Sequence, residues 1–302
     1  MNIPAPGVYE DIPFDQYAAW NAMNISTLLH GQRSMAHLQT AIQRPVRKRT
    51  KAMWRGVLGH TLVIEPLTAM DKYVVMPKFE DDPLNLKANG SKPRNPTSTS
   101  WYQNKKKEFE LTNIAREVVT QDRFDEMREM IRALDKAETA KAMLKGADMR
   151  EISLVWVDPE TGTLCKGRLD LVDEDAGLLI DLKVVEDASR FERSISQYSY
   201  HIRMASYIYG WSILCGQHLL PWLMVVEGSS PFGIRSAVIG QETMALGLAE
   251  YKTLLGRYRR CRETKNWPGY EDPDEWNLPG VGGPDMQNYG LKFVPEEEQT
   301  LS

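Results

Sequence analysis

The chain has 302 residues, 42% of them hydrophobic and 26% charged, with a formal net charge of −4 at pH 7. That length suits one large domain or two small ones, and the mixture is that of a soluble globular protein. So small a net charge excludes a global cationic field, so any contact with nucleic acid needs a local basic surface. The three cysteines, Cys165, Cys215 and Cys261, stand far apart with no Cys-x-x-Cys pair. This argues against a zinc ribbon or an iron–sulfur cluster and fits a reduced, cytoplasmic setting. The N-terminus lacks a charged region followed by an apolar run, and no apolar stretch reaches the roughly 18 residues of a membrane span. Neither a secretory signal nor a membrane partner is expected.

Residues 1–20 read as an extended lead-in. Asn24-Ile-Ser26 supplies cap chemistry before an apolar run, so a helix starts there. A second helix fits Lys51 to about Ile64, ahead of Pro66. Residues 78–100 combine Pro, Gly, Ser, Thr and Asn with Lys87, Lys92 and Arg94, and are expected to form a mobile basic loop. Helices follow at about 101–119 and 122–145, then strands at about 151–158, 163–172 and 177–185. Asp158-Pro-Glu-Thr-Gly162 makes the turn between the first two strands. A long helix fits 189–214, two more strands fit 219–227 and 233–240, and a last helix runs to about Lys265. The tail from Trp267 is rich in Pro, Gly and acidic residues and reads as irregular. The order implies an α/β sheet core with an N-terminal helical part, in one domain over residues 1–266 with a tail over 267–302.

The most telling stretch is Lys166-Gly-Arg168-Leu-Asp170 followed, after ten intervening residues, by Asp181-Leu-Lys183. Alternation places Lys166, Arg168 and Asp170 on one face of a strand, with Leu169 and Leu171 on the other. On the next strand Asp181 and Lys183 share a face, opposite Ile180, Leu182 and Val184. Two carboxylates brought together repel unless a cation joins them. Two Asp and a Lys converging on a hairpin suit a hard divalent metal and a phosphodiester. A surface hairpin with solvated charges has the same local pattern, so the segment alone leaves both readings open.

Four further features bear on it. In Gly56-Val-Leu-Gly59-His60 the glycines permit close approach of another backbone, and His60 follows their face. A lone His on an apolar helix is most often a core residue, but beside two Asp it would serve as a metal ligand. Tyr200, Arg203 and Tyr207 share one helix face, either as an amphipathic edge or lining a phosphate path. Glu151 leads the first strand, either as a solvated strand end or as support for the site. Lys87, Lys92, Arg94 and Lys105-Lys106-Lys107, with Trp101 and Tyr102 between them, suit contact with a DNA strand, or form a solvated loop and helix start.

In series, these residues resemble the PD-(D/E)xK nuclease superfamily, and within it the RecE-type exonuclease VIII branch of phage and prophage recombination nucleases. The anchors are Gly56-x-x-Gly59-His60 with Glu65-Pro66, then Glu151-x-Ser153…Trp156-x-Asp158…Thr161-Gly162…Cys165-Lys-Gly-Arg168-x-Asp170, then Asp181-Leu-Lys183, and Tyr200-His-Ile…Ala205-Ser-Tyr207. The resemblance covers Asn24 to about Gly216. It implies a restriction-endonuclease-like core, a mixed central β-sheet flanked by helices. It also implies Mg²⁺ or Mn²⁺ held by His60, Asp170, Asp181 and the carbonyl of Leu182, with Lys183 as the catalytic lysine alongside Asp170 and Asp181. By the same resemblance the substrate is linear double-stranded DNA, digested 5′ to 3′ to leave 3′ overhangs. The partners are a single-strand annealing protein and further copies of the chain in a ring. DNA contacts would fall to Arg203, Tyr207, Tyr200, Arg168, Lys105 and Lys106, with Glu151 supporting the site. Two departures stand out: Ile180 replaces the proline common before the second acidic residue, and Arg203 stands where a glutamine is usual. An endonuclease, a helicase-associated nuclease subunit and a catalytically silent DNA-binding protein share the same fold-level expectation.

Overall fold

The computed structural model describes residues 4–43, 51–87 and 89–270, apart from the side chains of residues 51–56, 67 and 70. The described residues up to Pro268 form one compact unit. Its strands are β1 (Gly7–Tyr9), β2 (Met23–Asn24), β3 (Tyr73–Met76), β4 (Glu117–Thr120), β5 (Met149–Val157), β6 (Leu164–Asp173), β7 (Leu178–Val185), β8 (Leu220–Glu227) and β9 (Ile234–Val238). Its helices are α1 (Phe14–Ala19), α2 (Ile25–Leu28), α3 (Met35–Gln43), α4 (Lys51–Ile64), α5 (Pro66–Lys72), α6 (Ser100–Thr112), α7 (Gln121–Lys136), α8 (Glu138–Gly146), α9 (Phe191–Gln197), α10 (Tyr200–Cys215) and α11 (Gln241–Thr264).

The central sheet runs in the order β1-β5-β6-β7-β8-β9, with β2 added alongside β6. β5, β6 and β7 form an antiparallel meander, β8 joins β7 in parallel after the α9–α10 crossover, and β9 returns antiparallel. The sheet is buried on both faces. One core gathers Ile152, Leu154, Trp156, Leu169, Leu179 and Leu223 with Ile202, Ile208 and Trp211 of α10 and Tyr251 and Leu255 of α11. The other gathers Leu171, Ile180, Leu182, Met224 and Val226 with Leu58 and Ile64 of α4 and Met127, Met130 and Leu134 of α7. Each fully buried aliphatic side chain in these layers contributes roughly 2 kcal/mol.

Several local expectations are met. Asn24 caps α2, its Oδ1 accepting the Thr27 N–H at 2.7 Å. The close approach expected at Gly59 is made by side chains rather than by a backbone: a Cβ there would lie 3.1 Å from Val184 Cγ2 and 3.2 Å from Met130 Cε. Other expectations are corrected. The helix read over 101–119 ends at Thr112, and Glu117–Thr120 instead forms β4, paired in parallel with β3 in a small second sheet. The single helix read over 189–214 is two helices, broken where Ser199 takes a left-handed φ of 56°. That over 122–145 is likewise split at Ala137. Within 78–100, buried Asn85 donates to the Pro96 carbonyl at 3.0 Å and accepts from Thr99, organising the segment around one amide. At the far end, Trp267 packs on Tyr258 and the Pro268 carbonyl accepts from Ala36. From residue 271 on, the expected tail lies outside the described residues.

Candidate active site

The β6–β7 ladder is short. Leu171 pairs with Ile180, Val172 with Leu179 and Asp173 with Leu178, and there it stops. The next opposed positions are Asp170 and Asp181. As β7 leaves, the Asp170 carboxylate takes over as acceptor: its Oδ2 receives the Leu182 N–H at 2.8 Å. On the other side of β6 the ladder with β5 continues, pairing Arg150 with Leu171 and Ile152 with Leu169, which sets Glu151 opposite Asp170. Glu151 has a φ of 52°. The side-chain alternation reverses there: Met149 packs on the same core as Ile152, and Leu169 and Leu171 fall into different cores. The expectation that Leu169 and Leu171 share a face is therefore corrected.

α4 brings His60 to this point. Its Nε2 lies 3.0 Å from Asp170 Oδ2 and its Nδ1 lies 3.3 Å from Glu151 Oε1. His60, Glu151 and Asp170 each offer a ligand atom within 4.8 Å of the others. Lys183 pairs with Asp181, and its Nζ lies 3.4 Å from the Leu182 carbonyl and 5.3 Å from the centre of the Tyr200 ring. Burial alone would lower the His60 pKa, but Asp170 and then Glu151 outweigh it and raise it to about 9. For Asp170, burial is outweighed by the His60 charge and hydrogen bond, with Lys183 and the Leu182 N–H, and the carboxyl falls to about 2. Asp181 goes the other way: burial raises it more than Lys183 lowers it. Glu151 is also raised, by burial and then by Asp170. Three carboxylates thus share one buried region with one imidazole, one ammonium and one backbone carbonyl. That donor set fits a hard divalent cation.

The remaining sequence candidates are spread more widely. Tyr200 stacks on Phe191 at 5.6 Å, beneath Lys183. Tyr207 packs against Gly167, where a Cβ would lie 2.9 Å from its ring. Arg203 donates to Ser26 Oγ at 2.6 Å, so it ties α10 to α2. Arg168 is turned inward: it pairs with Glu151 and donates to the Ile12 carbonyl at 2.8 Å and Ser153 Oγ at 3.2 Å. Lys105 and Lys106 lie on α6, ion-paired with Glu108 at 2.8 Å and Glu110 at 3.8 Å. The basic segment lines a separate cleft of about 640 Å³ with Lys87, Arg94 and Trp101, which touches none of the carboxylate cluster.

Sequence reading missed the N-terminal segment. Lys166, expected on the same strand face as Asp170, is buried and donates to the carbonyls of Tyr17, Ala18 and Trp20 at 2.7–3.0 Å, at the C-terminal end of α1. The Tyr17 ring lies 4.8 Å from Lys166 Nζ and 5.8 Å from Arg168 Cζ. No spacing in residues 1–20 announces this contact.

A family model described as a PDDEXK-like domain of unknown function (DUF3799) matches residues 26–275. The chain belongs to that family. Its fold is the PD-(D/E)xK fold, with a mixed and mostly antiparallel central sheet flanked by helices. A crystal structure from Eubacterium rectale, of a protein named "Putative exonuclease", is similar over 88% of this chain and 92% of its own. The TM-score is 0.56 and the identity 12%, a likeness of fold. No curated protein matches the chain. Among the described residues of this PDDEXK-like protein, no helix is long and apolar enough to cross a membrane.

Proposed function

We propose that this PDDEXK-like protein is a divalent-metal-dependent deoxyribonuclease that hydrolyses phosphodiester bonds of linear double-stranded DNA. The observation that supports it most is the meeting of His60, Asp170, Asp181 and Lys183 where β6 and β7 part. Asp170, Asp181, His60 and the Leu182 carbonyl would hold Mg²⁺ or Mn²⁺. When bound, such a cation acts as a Lewis acid, lowering the pKa of water and neutralising charge on the leaving oxygen. Lys183 stays protonated beside Asp181, its pKa raised by the two aspartates despite burial. Its ammonium is therefore available to orient an attacking water and to stabilise negative charge as it develops on the phosphate. Tyr200 confines that ammonium from below.

The finer reading is a RecE-type exonuclease. It would digest 5′ to 3′, leave 3′ overhangs for a single-strand annealing protein, and encircle DNA as a homo-oligomeric ring. This rests on the ordered motifs and on the cationic cleft with Lys87, Arg94 and Trp101, which would engage a DNA strand outside the cluster. The test is digestion of matched linear and covalently closed duplex with Mg²⁺, with Mn²⁺ and with chelator, using 5′- and 3′-labelled ends. Metal-dependent loss of the linear form with early release of the 5′ label is expected. Cutting of closed circles would make the enzyme an endonuclease. Binding without cleavage under every metal condition would make it a silent DNA-binding protein.

A further inference from the structure

We infer that Glu151 is a positioning residue that orients His60 toward the metal, and that Arg168 holds Glu151 for this task. The inference rests on the metal-site reading above and goes one layer outward from it. His60 has two distinct nitrogens in two distinct settings. Nε2 faces Asp170 and the part of the site where Asp181 and Leu182 converge. Nδ1 faces Glu151 Oε1 at 3.3 Å, on the far side of the ring. An imidazole that ligates a metal through one nitrogen donates the other N–H to a carboxylate or carbonyl, which fixes its tautomer and its ring plane. Glu151 is placed to be that acceptor.

The rest of its surroundings restrain it. Glu151 Oε2 accepts from Arg168 Nε, so each of its oxygens already faces a protein donor. Arg168 is itself fixed by the Ile12 carbonyl, Ser153 Oγ and the face of Tyr17. Asp170 differs: both of its contacts converge on Oδ2, which leaves Oδ1 for a cation. The backbone of Glu151 is held in the left-handed region inside a strand, where a side chain with a Cβ is disfavoured. The ladder keeps its register on both sides, so no residue is inserted there. What the unusual φ accomplishes is the reversal of side-chain alternation that brings Glu151 and Asp170 together around one imidazole. A solvated strand end would need neither the strain nor the two partners.

The experiment is calorimetric titration of Mn²⁺ into chelator-stripped wild type, Glu151→Gln and Glu151→Ala. Binding by the wild type must come first; its absence would fail the metal-site reading itself and is distinguishable from any result on Glu151. Glu151→Ala is expected to weaken Mn²⁺ about 10- to 100-fold. Glu151→Gln, whose amide oxygen still accepts the Nδ1–H, is expected to stay within a few-fold of wild type. Equal losses in both variants would make Glu151 a ligand and overturn the inference, and so would unchanged affinity in Glu151→Ala. Should the variants fail to fold, long-range ¹H–¹⁵N spectra of the Mg²⁺-loaded wild type, with the His60 signals assigned by their loss in His60→Asn, decide without them. A proton on Nδ1 is expected; a proton on Nε2 would refute the positioning role.

Discussion

Metal binding at this site should expel a proton from His60, and the affinity should follow pH accordingly. Without a cation, the imidazole stands between two carboxylates and its pKa lies at about 9. To ligate through Nε2 it must give up the proton that Nε2 shares with Asp170. The sign follows: the group is protonated in the free protein and deprotonated in the complex, so affinity is lost as pH falls below 9. Each unit below the pKa costs tenfold, so at pH 7 the site binds about 100-fold more weakly than its limit. Between pH 6.5 and pH 8 the affinity for Mn²⁺ should rise about 30-fold. Calorimetric titration in two buffers of different ionisation enthalpy counts the protons directly. Close to one should be released per Mn²⁺ at pH 7. In His60→Gln the release should fall to near zero and the pH slope should flatten. A wild type that releases less than about 0.2 proton, or a His60→Gln variant with an unchanged slope, would refute His60 as a ligand.

Asp170 and Asp181 should differ in stability although both should be needed for cleavage. Asp170 lies at about 2 against an ordinary 3.8, so its ionised form stabilises the fold, a contribution present above pH 3.8 and lost as pH falls toward 2. Asp170→Asn should therefore lower the urea midpoint in chelator, whereas Asp181→Asn, removing a carboxyl raised by burial, should lower it much less; equal losses would sink this reasoning. Lys183→Ala should bind Mn²⁺ normally yet lose at least about two orders of magnitude in single-turnover cleavage, and Lys183→Arg should recover little. A rate within a few-fold of wild type would reduce Lys183 to a structural ion-pair partner of Asp181. Gly247→Ala should cost about 2 kcal/mol or more, read as a lowered melting temperature, because its Cβ would lie 2.5 Å from the His201 carbonyl oxygen. An unchanged melting temperature would show that α10 and α11 yield there. Lys166→Met should release the N-terminal segment to limited proteolysis near Tyr17, since three carbonyls lose their donor. Wild-type cleavage kinetics would place the anchor elsewhere.

Much of the frame was legible because it is local. The bounds of α4 follow from Pro66 and an apolar run, and β5 to β7 from β-branched alternation around acidic turns. Asp181 and Lys183 do share a face opposite Ile180, Leu182 and Val184, as period-two alternation requires. What escaped was whatever depends on a backbone departure at a residue that does not advertise one. Ser199 and Glu151 both take positive φ without being glycine, and each breaks a pattern that had been extended through it. β3 and β4 were missed because each has four residues and gains its pairing only from a partner far along the chain. Lys166 and Arg168 read as charged strand positions facing solvent or substrate. Nothing local shows that residues 12–20 fold back to meet them with carbonyls and an aromatic ring.

The position of the cluster follows from the same geometry that builds the sheet. A strand that leaves its partner exposes N–H and C=O groups that the ladder would otherwise pair, and buried backbone groups must find substitutes. Here the substitutes are the chemistry. The Leu182 N–H turns to the Asp170 carboxylate, and the Leu182 carbonyl turns to Lys183. Asp170 is therefore both a structural acceptor at the fork and the residue that His60 meets. On the opposite flank, Glu151 uses a left-handed backbone to reach the same imidazole without shifting the register of β5 against β6. Folding thus brings three carboxylates to one fork and sets against them one imidazole, one ammonium and the Arg168 guanidinium that pairs with Glu151. The outcome is uneven: Asp170 is held low by His60 and Lys183, while burial pushes Asp181 and Glu151 up, and clusters perturbed in this way concentrate at functional sites. A divalent cation held between Asp170 and Asp181 would lower all three carboxyls together and drive the proton from His60. Proton release on metal binding is thus a test of how the fork is built as well as of what it binds.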